Sequence, residues 1–267
     1  MPRRKSRVLK LATFNVNGIG PRLPHLLQWL EREQPDVVAL QELKARDEAF
    51  PAAELEAAGY GAIWQGEHRW NGVALLARGM VPVESRRGLP GDRGDSQSRY
   101  IEAAAHGVLV GALYLPNGNP QPGPKFDYKL KWMTRLARHA ATLVKLPHPV
   151  VLMGDFNVIP ADGDVYDPES WKRDALIQPE VREAYARLLD QGWTDALRET
   201  FGGQRVYTFW DYFRQHFQRD RGLRIDHLLL NPVLAPALQE AGVDRWVRAL
   251  EQPSDHAPAW IRVKLPQ

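Results

Sequence analysis

The sequence runs to 267 residues, with 44% hydrophobic and 25% charged residues, ordinary values for a chain that buries a core. Its 21 glycines and 21 prolines fall short of low-complexity composition, and the absence of cysteine excludes a disulfide framework, a thiolate metal site and a cysteine nucleophile. Lys plus Arg total 35 against 32 for Asp plus Glu, a formal net charge of +3, so a polyanionic partner requires basic residues gathered locally.

In chain order, the basic start with Arg3, Arg4, Lys5 and Arg7 reads as a flexible tail over residues 1–7. It has no apolar signal core, and no apolar run reaches the roughly 18 residues of a membrane span, so a soluble, intracellular protein is expected. A strand is expected over Val8–Phe14, then a helix over Leu23–Glu33, where Leu23, Leu26, Leu27 and Leu30 share one face. Strands follow at Val37–Leu40, Val73–Leu76 and Val108–Leu115. The proline-rich stretch Pro116–Pro124 reads as a structured loop within one domain, 1–267. Lys125–Leu146 carries the strongest helical period, in Phe126, Leu130, Met133, Leu136, Ala140 and Leu143, with Lys129, Arg135 and Arg138 expected on solvated faces. A strand at Val150–Met153, a helix at Val181–Asp190 stopped by Gly192, and strands at Ile225–Leu230 and Trp260–Val263 complete the series. Several strands are apolar throughout, which predicts burial on both faces and a layered α/β or α+β domain. His25 and His139 are expected on helix surfaces, and His106 beside Gly107 in a turn.

Polar residues interrupt this pattern where strands end. Asn15-Val16-Asn17-Gly18 follows the first strand, Gln41-Glu42-Leu43-Lys44 the second, and Gly154-Asp155-Phe156-Asn157 the strand at Val150–Met153. Asp226 opens another strand beside Arg224, and Ser254-Asp255-His256 precedes the last. Strand ends of layered α/β folds converge on one rim, where carboxylates, carboxamides and a histidine make an oxygen-rich cation site beside a general acid or base. Each piece taken singly also reads as an ordinary turn residue. Gly18-Ile19-Gly20 lacks the third glycine of a dinucleotide fingerprint, and neither a Gly-Lys-Ser/Thr phosphate loop nor a Gly-x-Ser-x-Gly elbow occurs. These residues favour a hard-cation hydrolase and leave its substrate open.

Taken together, Phe14-Asn15, Gln41-Glu42, Tyr114 with Pro116-Asn117, Gly154-Asp155-Phe156-Asn157, Arg224-Ile225-Asp226 and Ser254-Asp255-His256 resemble the exonuclease III and abasic-site endonuclease family. That family lies within the endonuclease/exonuclease/phosphatase superfamily. The resemblance runs from about Lys10 to Val263. It implies a four-layer sandwich, two mixed β-sheets packed face to face with helices outside. It implies Glu42 as principal Mg²⁺ ligand, with Asp255 and Asn15 near the metal and Mn²⁺ able to substitute. It further implies Asp155 activating water and Asn157 bonding a phosphate oxygen. His256 faces the scissile phosphate, oriented by Asp226, while Tyr114 contacts the phosphate or leaving oxygen and Asn117 holds the DNA backbone. Asn17 stands where some relatives carry Asp, and the loop Asn117–Lys125 varies in length among relatives, which leaves exonuclease strength open.

Tyr207-Thr208-Phe209-Trp210 followed by Arg221 to Asp226 is similar to the family's abasic-sugar pocket, with Phe209, Leu223 and Ile225 at matching positions. Lys44, Arg69 and the Arg219–Arg224 cluster, Arg224 included, are expected to reach phosphates. The implied activity is incision of duplex DNA 5′ to abasic sites, with 3′→5′ exonuclease and 3′-phosphatase activity. The implied enzyme is a cytoplasmic, nucleoid-associated bacterial monomer. Two alternatives stand beside it, a phosphoesterase acting on a lipid or small-molecule phosphate and a catalytically inactive DNA-binding module.

Overall fold

A computed structural model describes residues 6–266. The first four strands, β1 (Ser6–Asn15), β2 (Val37–Gln41), β3 (Tyr60–Gln65) and β4 (Val73–Arg78), belong to one sheet. A second sheet takes β5 (Val83–Arg87), β6 (Tyr100–Ala105), β7 (Val108–Tyr114), β8 (Val150–Asp155), β9 (Thr194–Asp195) and β10 (Asp226–Leu230). The chain then returns to the first sheet with β11 (Leu238–Val243) and β12 (Ala259–Pro266). The spatial orders are β11-β12-β1-β2-β4-β3 and β5-β6-β7-β8-β10-β9. Within each sheet one pair is parallel, β1 with β2 and β7 with β8, and the other pairs run antiparallel.

Alternation along these strands loads both faces of each sheet with apolar side chains. Leu9, Leu11, Val37, Ala39 and Leu75 meet Val110, Ala112, Val151 and Met153 in the layer between the sheets. Helix α1 (Ile19–Glu33) covers the outer face of the first sheet, Leu26, Trp29 and Leu30 packing on Phe14, Val38 and Leu40, and α2 (Ala52–Ala57) adds Leu55. Helices α3 (Pro124–Leu143), α4 (Pro168–Trp171), α5 (Pro179–Leu189) and α6 (Ala196–Phe201) follow; α3 and α5 cover the second sheet through Phe126, Trp132, Leu136 and Tyr185. The result is the helix–sheet–sheet–helix sandwich. Double-sided burial is why Val37–Leu40 of β2, Val150–Met153 of β8 and Leu228–Leu230 of β10 read as apolar runs. No helix among the described residues is long and apolar enough to cross a membrane.

Several expectations need correction. Ser6 and Arg7 are not tail: they pair with Pro266 and Leu265 in β1, and Arg3, Arg4 and Lys5 lie outside the described residues. Lys129 and Arg135 are buried within α3 rather than solvated, because each ammonium or guanidinium finds main-chain carbonyls to bond. His139 is likewise turned inward, 2.9 Å from Glu102 Oε2. Strand β5 was hidden by its sequence Val-Glu-Ser-Arg-Arg, the charged, exposed composition of a protected edge. Strand β6 was hidden by three alanines of high helix propensity, two of which fill the narrow space between sheets.

Candidate active site

The two parallel strand pairs end at a common rim. Asn15 lies opposite Gln41 at the ends of β1 and β2, Tyr114 opposite Asp155 at the ends of β7 and β8, and Asp226 opposite Asp155 where β10 begins. The sheets therefore deliver their terminal polar residues to one place. Asn15 joins them directly, its Nδ2 donating to Glu42 Oε1 at 2.9 Å and to Asp155 Oδ2 at 3.0 Å. The Tyr114 hydroxyl adds a second link, 2.8 Å to Glu42 Oε1.

The loop carrying Glu42 is fixed by main-chain bonds from the start of α1, Gly18 N to Glu42 O at 2.7 Å and Ile19 N to Leu43 O at 2.9 Å. Glu42 and Lys44 hold left-handed backbone, φ 52° and 50°. For side chains of this kind that conformation costs about 1–3 kcal/mol and collects at functional sites. Across the rim, Ser254 Oγ donates to Asn15 O and accepts from His256 N, while Thr208 Oγ1 accepts from the N–H groups of Ile225 and Asp226. His256 Nδ1 lies 2.8 Å from Asp226 Oδ2, and its Nε2 lies 3.7 Å from Asp155 Oδ2.

The electrostatics follow from this crowding. Burial pushes Asp155 up to about 7; His256 opposes the rise and the neighbouring Asp226 and Glu42 add to it. Asp255 also sits above the usual range, through burial against His256 and then Glu42. Burial works against the His256 cation, but Asp226, with Asp155 and Asp255, outweighs it and raises the imidazole to about 10. These carboxylates favour the imidazolium form of His256, whose Nδ1 faces Asp226 and whose Nε2 faces Asp155. Among the described residues, the four carboxylates Glu42, Asp155, Asp226 and Asp255 find ion-pair partners in two cations, His256 and Lys44, and Asp226 Oδ1 is buried with no hydrogen-bond partner. That surplus of hard oxygen suits a divalent cation. Among the described residues no group of three or more His, Cys, Asp or Glu is arranged to enclose a metal ion by itself.

A cavity of about 270 Å³ opens over the cluster. Glu42, Tyr114, Asn117, Asp155, Asn157, Asp255 and His256 line its polar side; Phe209, Leu223 and Ile225 line the apolar side.

Residues 12–256 match the Endonuclease/Exonuclease/phosphatase family. The chain belongs to that family. It is 37% identical to exodeoxyribonuclease III of Haemophilus influenzae over 96% of this chain and all of that one. A 3′ phosphatase, NExo, from Neisseria, solved bound to a product DNA hairpin, superposes with a TM-score of 0.90 at 41% identity, covering 95% of this chain and 98% of that one. An AP endonuclease from Archaeoglobus fulgidus superposes with a TM-score of 0.91 at 34% identity over the same shares. Enzymes of the family are metal-dependent.

Three expected site residues sit in placements that the sequence did not show. Asn15 turns its amide nitrogen to the carboxylates, because its Oδ1 accepts from Asn17 N at 3.0 Å, and so bridges Glu42 and Asp155. Lys44 folds back over the cluster, 2.8 Å from Glu42 Oε2 and 2.5 Å from Asn17 Oδ1. Arg224 does not reach the cavity at all. It is 1% exposed and enclosed by Asp164 and Asp195, since strand alternation sends it away from its neighbours Leu223 and Ile225. Asp226 also stays behind the cavity wall, in contact with His256. Sequence reasoning missed Trp171, Asp174 and Leu176, which complete the cavity. Trp171 ends the one-turn helix α4, and Asp174 and Leu176 lie in the irregular stretch after it, where no periodicity or motif marks them.

Proposed function

We propose that this chain is a Mg²⁺-dependent DNA repair nuclease that breaks the bond between phosphorus and a 3′-oxygen. It incises duplex DNA 5′ to abasic sites and trims 3′ ends as exonuclease and 3′-phosphatase. One bond accounts for all three activities, since each leaves a 3′-hydroxyl. The observation that carries the reading is the Asp226–His256–Asp155 line at a carboxylate-rich rim. The activities named for the relatives support the choice of DNA. Action as a monomer in a bacterial cytoplasm belongs to the same reading, by analogy with the bacterial exodeoxyribonuclease III relative.

Phosphodiester hydrolysis demands removal of something like 20 kcal/mol of barrier, and proton transfer supplies only about 3–5 kcal/mol of it. Glu42 and Asp255 would hold the divalent ion, Mg²⁺ or Mn²⁺, which would supply Lewis-acid stabilisation of the phosphate. Asp155, its Oδ1 held by Asn157 N at 2.8 Å, orients water and accepts its proton as the water oxygen bonds to phosphorus. A carboxylate poised near 7 suits that transfer. The His256 imidazolium faces the phosphate, and Asn157 and Asn117 offer amide N–H groups to its non-bridging oxygens. Tyr114 donates toward the departing 3′-oxygen. Phe209, Leu223 and Ile225 receive the sugar, where an apolar surface favours one stripped of its base.

The deciding assay uses three duplexes, one with an internal abasic analogue, one with a 3′-phosphate end and one undamaged. Cleavage of the first two to 3′-hydroxyl products, abolished by chelator and restored by Mg²⁺, is expected. Intact DNA alongside turnover of a lipid phosphate would overturn the reading.

A further inference from the structure

Beneath the cavity lies a side chain that the reaction scheme leaves unused. Lys129 of α3 is 0% exposed, and among the described residues its ammonium forms no salt bridge. Its Nζ donates instead to two main-chain carbonyls, Asn157 O at 2.6 Å and Asn117 O at 3.0 Å. Those carbonyls belong to the loops leaving β8 and β7, the two loops that bring amide side chains to the cavity. The side chains are themselves joined, Asn117 Nδ2 to Asn157 Oδ1 at 3.1 Å, and Asn157 Nδ2 also reaches Leu115 O at 2.9 Å.

A lysine buried without a carboxylate partner is a costly choice for filling a helix–sheet interface, where leucine or methionine serves better. The stem has no room to wander, because a Cβ added at Gly118 would lie 2.7 Å from Lys129 Cδ. Burial pushes Lys129 down to about 7, with Asp155 and Asp174 opposing the shift. The neutral amine still carries two N–H groups, so both bonds persist in either protonation state.

We propose that Lys129 is a positioning residue for the reaction: it ties the two loops together so that Asn117 and Asn157 meet the phosphate at fixed distances. This rests on the roles given to those two amides above. Positioning of this kind matters because a displacement near 1 Å at a reacting centre costs about 10²-fold in rate.

The test uses Lys129→Met, which keeps the stem and removes the donors, and Gly118→Ala, which crowds the stem and leaves the ammonium. Both are measured on the full chain by single-turnover cleavage, KM and thermal unfolding. The expected result is a fall in rate of about 10- to 100-fold, KM for the duplex changing little. In a background that lacks both amides, Asn117→Ala with Asn157→Ala, the same substitutions should add almost nothing, since they act through those two residues. A folded Lys129→Met or Gly118→Ala protein with wild-type rate, a loss confined to KM, or losses that multiply with the Asn117→Ala/Asn157→Ala pair would each overturn the proposal. Failure of the wild-type chain to cut DNA would instead sink the proposed function, so the two failures are distinguishable.

Discussion

Arg224 and Asp226 stand two residues apart and are each 1% exposed, yet they enter buried clusters of opposite character. Around Arg224 every charge is answered. Its guanidinium meets Asp164 Oδ1 at 2.7 Å and Asp195 Oδ2 at 2.6 Å, Arg198 adds a second cation to Asp164, and Tyr185 donates to Asp195 at 3.0 Å. Burial opposes ionisation of both carboxyls, but Arg224 overcomes it and holds them below the usual range. Around Asp226 the carboxylates outnumber the cations, and Asp155 and Asp255 are pushed up. A compensated cluster stabilises the fold, whereas an under-compensated one keeps capacity for a metal ion and a phosphate. The apolar strip of Leu223 and Ile225 lies between them.

Substitutions can break this contrast. His256→Ala should lower kcat by about 10²- to 10⁴-fold, with unfolding temperature and duplex affinity nearly unchanged, as read by cleavage, binding and thermal scans. Arg224→Met should do the reverse, costing about 3–5 kcal/mol of stability by stranding buried Asp195 and leaving Asp164 with Arg198 alone, while molecules that remain folded keep their turnover. The pH dependence follows in sign. In the wild type, Asp164 and Asp195 titrate below their unfolded values, so their contribution is present above the ordinary carboxylate range and fades as pH falls through the folded values. In Arg224→Met, Asp195 loses its cation and burial lifts it above that range, so the deficit should shrink on acidification from pH 8 to pH ~5, measured by denaturant unfolding. Glu42→Gln should raise the Mg²⁺ needed for half-maximal cleavage by on the order of tenfold, about 1.4 kcal/mol, with partial rescue by excess ion. Leu176→Val should have the smallest effect, costing about 1 kcal/mol of packing. By loosening the cavity wall beside Leu223 and Ile225, it should raise incision at internal abasic sites a few-fold relative to trimming of 3′ ends.

The sequence showed much of this molecule because rim residues are motif residues. Glu42, Asp155 and His256 interrupt or follow apolar runs, so they were visible as anomalies against a regular pattern. The four layers were visible only in part. Double-sided burial of β2 and β8 pointed to layers, while β5 and β6 hid behind edge charges and alanines. What failed most instructively was direction. Lys129, Arg135 and Arg224 were expected to face solvent or DNA because they are cations, and each instead serves buried oxygens that local sequence does not reveal. Trp171, at the end of the one-turn α4, and Leu176, in the irregular segment after it, reach the cavity through tertiary placement, which no period encodes.

The central claim is that the rim, and not the Arg224 cluster, holds a divalent cation. Mn²⁺ binding followed by electron paramagnetic resonance tests it without relying on turnover. One site per chain is expected in the wild type, retained in His256→Ala and Arg224→Met and strongly weakened in Glu42→Gln. Unchanged binding in Glu42→Gln, or loss of the ion in Arg224→Met protein that remains folded, would contradict the account.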